Sequence, residues 1–168
     1  MSEQQTATAT EFEIRPLTAD DKPWVQRVLK RYWATTTQAT RGHLHHADEL
    51  PGFAAWRGEE ELGLITYSIV GDACEIVTHN SLADDGGIGS CLLAEVRKAA
   101  REAGCRRLWL VTTNDNTPAI RFYQRREFDL LAVHRDAMVE ARKLKPEIPE
   151  LGLDSIRIRH EVELEYLL

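Results

Sequence analysis

The clearest periodicity lies near the end of the chain. Across residues 155–168, Ile156, Ile158, His160, Val162, Leu164 and Tyr166 alternate with Arg157, Arg159, Glu161, Glu163 and Glu165. A period of two predicts a strand with one apolar and one charged face. A different period governs residues 84–103, DDGGIGSCLLAEVRKAAREA. Gly86, Gly87 and Gly89 give a backbone that can turn sharply and let a ligand come close. Ile88, Leu92, Val96, Ala99 and Ala103 then recur at helical spacing, and Gly104 is placed to end the helix.

The remaining elements follow from the same two periods. Residues 1–10 are polar and are expected to be disordered. Phe12 and Ile14 alternate with charges in a first strand over residues 11–17. Thr18, Asp20, Asp21 and Pro23 mark a helix start, and Trp24, Val25, Val28, Leu29, Tyr32 and Trp33 form its stripe. Residues 34–50 are irregular and read as a loop. Residues 52–57 and 62–70 form a hairpin, and residues 74–80 add a third strand of a meander. Residues 107–113, RLWLVTT, are nearly all apolar, as in a buried central strand. Asn116 or Thr117 caps a helix with Pro118 in its first turn and Ala119, Phe122, Tyr123 and Arg126 at helical spacing. A strand at 129–134, a short helix at 136–145 and a loop broken by Pro146, Pro149 and Gly152 lead to the last strand. A meander followed by two crossovers predicts an α+β fold with a mixed, mostly antiparallel sheet.

The totals narrow the function classes. The 168 residues fit one domain over residues 11–168. No apolar run reaches the roughly 20 residues that span a bilayer, and the N-terminal residues lack a signal-peptide pattern. A cytoplasmic protein is expected. The net charge of −6 argues against a nucleic-acid partner. Cys74, Cys91 and Cys105 form no CxxC and read as three buried thiols in a reducing compartment. His43, His45 and His46 lie near Asp48 and Glu49, but H-x-H-H matches no ligand spacing, so no metal is expected and a substrate loop or a solvated one is the better reading. The glycine turn is different. Its helix would open with unpaired N–H groups and a positive dipole end, which suits a phosphate.

Two stretches resemble the GNAT superfamily of acyl-CoA N-acyltransferases. Gly87-Ile88-Gly89 fit the end of its acyl-CoA turn, Gln/Arg-x-x-Gly-x-Gly/Ala. Asn116, Ala119, Phe122, Tyr123 and Phe128 fit its Asn-x-x-Ala-x-x-Phe-Tyr-x-x-x-Gly-Phe pattern. Two positions depart: Asp84 stands for the usual Gln or Arg, and Glu127 for a glycine, which predicts a residue at positive φ or a shifted helix end. The resemblance implies a GNAT fold with splayed central strands and direct acetyl transfer from acetyl-CoA to an amine of a small molecule or an exposed amino group. The pyrophosphate would sit on the N–H groups of Gly86, Gly87, Ile88, Gly89 and Ser90. The pantetheine arm would pair with the backbone of Ile76, Val77 and Thr78, where one N–H would hold the oxyanion. Asn116, Ala119 and Tyr123 would complete the cofactor contacts, with Tyr123 as proton donor to the thiolate. The base would be Glu75 or His79, four apart and so on one face of a regular strand. Lys98, Arg121 and Arg125 are candidates for the remaining CoA phosphate. The acceptor pocket should draw on residues 34–50, the strand around Glu75 and residues 135–155, a segment long enough to cover the site or to mediate homodimerisation. The alternative on the same fold is a non-catalytic acyl-CoA-binding sensor or an interaction domain.

Overall fold

The computed structural model describes residues 11–83 and 86–168, so the expectation for residues 1–10 and the departure at Asp84 fall outside it. In chain order the elements are β1 (Glu13–Pro16), α1 (Lys22–Trp33), β2 (Thr37–Thr40), β3 (His43–His46), β4 (Gly52–Arg57), β5 (Glu60–Val70), β6 (Ala73–Ser81), α2 (Ile88–Glu102), β7 (Arg107–Thr113), α3 (Thr117–Gln124), β8 (Asp129–His134), α4 (Met138–Leu144) and β9 (Glu161–Leu167). Seven strands form one sheet in the order β1-β4-β5-β6-β7-β9-β8, and β2 and β3 form a separate hairpin. Within the large sheet only the β6–β7 pair is parallel.

Helices cover both faces of the sheet. Ile88, Leu92, Leu93, Val96 and Ala100 of α2 pack with Ile65, Ile76 and Leu108. Trp24, Val25, Val28 and Leu29 of α1 pack with Ala54 and Leu64. The neighbours Leu64 and Ile65 enter different clusters, as adjacent strand positions must. A smaller cluster joins Met138 and Ala141 of α4 to Ile158. The α2 stripe ends on Ala100 rather than on Ala99 and Ala103, because the contact with the sheet drifts around the helix.

Three further expectations are corrected. Residues 34–50 contain the β2–β3 hairpin, turned by Arg41 at φ 47° and Gly42 at φ 76°. Two positive φ values suit a two-residue hairpin turn, but an arginine in the first position conceals it. The last strand begins only at Glu161, since residues 150–160 arch over the sheet and bridge Leu151 to Arg157. The acidic face of β9 is covered as well. The strand lies between β7 and β8, where Glu163 meets Arg107 and His134, and Glu161 meets Arg41. Among the cysteines, Cys91 is only half-buried, while burial pushes the Cys74 thiol up to about 12.

Glu127 takes φ 69°, one of the two outcomes expected where glycine is missing. Asn114, Asp115 and Asn116 do more than make a turn. Asn114 Oδ1 accepts from the backbone N–H groups of Arg159 and His160, and Asp115 Oδ2 accepts from Leu153 N–H. Asn116 Oδ1 accepts from Ala119 N–H and caps α3. One short segment therefore ties the late arch to the start of α3.

Candidate active site

Two irregularities in β6 create the site. β6 pairs with β7 only at Ala73, Cys74 and Glu75, after which the strands part. On its other side the β5 pairing runs from Thr66↔Thr78 to Tyr67↔Ile76, leaving Val77 without a partner residue. This bulge shifts the pleat by one residue. Glu75 and His79 therefore lie on opposite faces of the sheet, which corrects the expectation that they share one. Ile76 points into the α2 cluster, Val77 into the α1 cluster, and Thr78 Oγ1 is bonded to Thr66 Oγ1 at 2.7 Å. At Ile76 and Thr78 only the backbone is left to meet a ligand, while the half-buried Val77 side chain also borders the space on the α1 face.

On the α2 and α3 face, a cleft of about 220 Å³ is lined by His79, Ser81, Gly89, Pro118, Ala119, Phe122 and Tyr123. His79 Nε2 lies 3.0 Å from the Gly89 carbonyl, and His79 Nδ1 lies 2.7 Å from the Tyr123 hydroxyl. A carbonyl only accepts, so Nε2 carries the proton and Nδ1 accepts from Tyr123. Burial lowers the His79 pKa to about 4, and Arg126 adds to the effect against the Gly89 carbonyl. Burial also raises the Tyr123 pKa, so the phenol stays protonated. The Arg126 guanidinium bonds Ser90 Oγ and the Phe122 carbonyl, both at 2.8 Å, and stacks 3.5 Å from the Phe122 ring centroid.

The adjoining start of α2 is uncapped. Gly87 takes φ 101°, and no side chain among the described residues caps the helix. The first helical bond runs from Cys91 N–H to the Gly87 carbonyl, so the amides of Ile88, Gly89 and Ser90 have no partner within the helix. A Cβ on Gly86 or Gly87 would meet nothing within 4 Å, which leaves the approach open. The Ile88 side chain is buried in the core, so only its amide can serve a ligand. Arg121 and Arg125 flank a neighbouring groove with Arg126, whereas Lys98 is absent from its wall.

On the opposite face lies a cavity of about 550 Å³. Tyr32 and Trp33 come from α1, Gln38 and Thr40 from β2, Val77 from the bulge, and Met138, Lys145 and Ile148 from α4 and beyond. Thr112, Thr113 and Asn116 line it from the β7 side. Behind Thr40 is a buried polar group. Thr40 Oγ1 donates to Glu75 Oε1 at 2.6 Å, and His45 Nε2 lies 3.1 Å from Glu75 Oε2 and 3.0 Å from Thr40 Oγ1. The carboxylate accepts from both residues.

The structure thus brings His79, Tyr123, Gly89 and Ala119 into one cleft and sets Glu75 on the other side of the sheet. Asn116 stands between them, capping α3 while lining the larger cavity. Thr40, His45, Gln38, Lys145 and Arg126 join the site without having been singled out by role. His45 carried the only signal, since β3 alternates and His45 is its buried position while His43 and His46 are exposed. No group of three or more His, Cys, Asp or Glu that could hold a metal occurs among the described residues. Among them, too, no helix is long and apolar enough to cross a membrane.

A model of the acetyltransferase (GNAT) family matches residues 13–128. The uncharacterized protein YdhI of Bacillus subtilis (strain 168) is 44% identical over 133 residues, which are 79% of this chain and 83% of that protein. The fold is shared with a Bacillus subtilis acetyltransferase solved in complex with CoA, at TM-score 0.65 and 17% identity, covering 94% of this chain and 98% of that one. It is shared equally with a GNAT family acetyltransferase from Elizabethkingia anophelis with acetyl-CoA bound, at TM-score 0.66 and 18% identity, covering 94% and 98%.

Proposed function

The chain belongs to the acetyltransferase (GNAT) family, and on that premise we propose that it is an N-acetyltransferase that moves an acetyl group from acetyl-CoA directly to an amine. The observation that carries this reading is the Tyr123 hydroxyl, held as a neutral proton donor beside the uncapped start of α2 where β6 and β7 part.

The residues present fit acetyl-CoA. The amides of Ile88, Gly89 and Ser90, which have no partner within the helix, suit a pyrophosphate beside the turn at Gly86 and Gly87. Beyond Glu75 the β7 side of β6 is unpaired, so the backbone of Ile76, Val77 and Thr78 can receive the pantetheine amides as an added strand would. Acetyl-CoA supplies the activated thioester; the chain supplies position and protons.

Glu75 acts as the base. It faces the cavity side of the sheet, and the Thr40 hydroxyl bridges it to the cavity wall. Thr40 accepts a proton from the ammonium, directly or through water, as it passes its own to Glu75. The freed amine forms a C–N bond to the acetyl carbon, and the backbone N–H of Val77, the residue with no opposite number on β5, stabilises the oxyanion. As the C–S bond breaks, Tyr123 gives its proton to the departing thiolate. His79 is a poor base at neutral pH, since its Nδ1 is occupied by Tyr123 and its pKa lies near 4. We assign it to positioning Tyr123. The three free cysteines support a reducing, cytoplasmic setting.

The test incubates the protein with acetyl-CoA and a panel of amines, and measures free thiol and N-acetylated product. Equal appearance of both supports the reading. Binding of acetyl-CoA without consumption of any amine replaces it with the sensor.

A further inference from the structure

One wall of the large cavity carries a charge that the transfer chemistry does not use. Lys145 follows α4 and is only 5% exposed. Its ammonium has one hydrogen bond, 3.3 Å to Gln38 Oε1, and forms no ion pair among the described residues. That bond fixes the Gln38 amide, because its oxygen must face the ammonium. The other amide atom, Nε2, is buried and has no hydrogen-bond partner among the described residues. Gln38 itself is 9% exposed. A cation and an amide donor thus stand side by side, both lining the cavity and neither bonded to an anion among the described residues.

A buried ammonium without a counter-ion is costly, and an apolar side chain would fill the same place at lower cost. Burial lowers the Lys145 pKa to about 8, against the opposing effect of Glu147. The acids on the wall form no ion pair with Lys145 among the described residues: Glu147 lines the same cavity and favours the ammonium only through its field. Glu161 is bound by Arg41, through its backbone N–H at 3.0 Å and its guanidinium at 3.4 Å. Lys30 and Arg31 add positive charge from α1. Between these groups the wall is apolar, with Trp33, Met138 and Ile158 among its residues.

We propose that Lys145, supported by Gln38, is the anion-recognition point of the acceptor cavity, so that the acceptor is an amine carrying a carboxylate on an apolar body. One lysine and one amide suit a single carboxylate; a phosphate would call for an arginine fork or a longer array of donors. The inference rests on the acetyltransferase reading for its meaning, but it can be tested separately.

The experiment compares phenylalanine with phenylalaninamide, which keeps the apolar body and the amine and loses the carboxylate. With acetyl-CoA saturating, kcat/KM should favour the acid by at least about ten-fold. Lys145→Met should remove that preference mainly through KM and leave the amide unchanged, while Lys145→Arg restores part of it. Equal use of acid and amide by the wild type, or an equal loss on both in Lys145→Met, overturns the proposal. Binding of N-acetylphenylalanine and of its carboxamide in the presence of CoA gives a readout without turnover. Lys145-dependent preference for the acid there, with no amine acetylated, keeps the anion site and rejects the enzyme. Acetylation with no preference keeps the enzyme and rejects the anion site. If neither compound binds, the proposal fails. Lys145→Gln, which keeps a polar side chain, repeats the comparison should the Met variant not fold.

Discussion

Tyr123 donates its hydroxyl proton to His79 Nδ1 across 2.7 Å, because the other imidazole nitrogen is committed to the Gly89 carbonyl. The direction of that bond assigns different work to the two residues. In the proposed mechanism the phenol is the proton donor and the imidazole its support. Tyr123→Phe keeps the ring packing against Phe122 and Phe128 and removes only the hydroxyl. It should lower kcat by about 100-fold with little change in the Kd for acetyl-CoA, measured by steady-state kinetics and calorimetry.

The buried neutral state of His79 has a consequence for stability. Its pKa is about 4 in the fold against an ordinary 6.5. Between those values the unfolded chain binds a proton that the folded protein refuses. Stability is therefore full above pH 6.5 and falls as the pH drops toward 4, by at most about 3 kcal/mol from this residue. Urea unfolding across that range should show the slope in the wild type and a shallower one in His79→Gln. The same slope in both would mean that His79 is not the group responsible.

The other face of β6 should behave differently. Glu75→Gln should cut kcat by about 100-fold while preserving acetyl-CoA binding. Thr40→Ser keeps the hydroxyl that joins Glu75 to the cavity and should retain most activity, whereas Thr40→Val should not. If Thr40→Val turns over as fast as the wild type, the proton does not pass through that hydroxyl.

Backbone geometry makes a prediction free of chemistry. Glu127 sits at φ 69°, where a Cβ costs about 1–2 kcal/mol. Glu127→Gly should raise stability by roughly 1 kcal/mol, read as a higher urea midpoint. Gly152→Ala should do the reverse, since its Cβ would run into the Asp115 carboxylate. A loss of about 1–3 kcal/mol is expected there.

These residues show how far the sequence could be read. The strand at 107–113 and the helix stop at Gly104 were legible because each carries a local signal, an apolar run in one case and a positive-φ glycine in the other. The Val77 bulge has no such mark. No glycine or proline stands at it, yet it decides that Glu75 and His79 part company. Long-range contacts were equally silent. Lys145 and Gln38 lie 107 positions apart, and each alone looks like an ordinary surface residue. The β2–β3 hairpin was hidden by strands of only four residues rich in Thr and His. The family motifs located the cleft, but the polar network behind it came from tertiary packing.

Acetyl transfer to an amine at this site is read by mixing wild-type protein with acetyl-CoA and an apolar amino acid, and following both products by mass spectrometry. Free CoA and the N-acetylated amine should appear in equal amounts, with both nearly lost in Tyr123→Phe. Acetyl-CoA that binds and remains intact with every amine tried would contradict it.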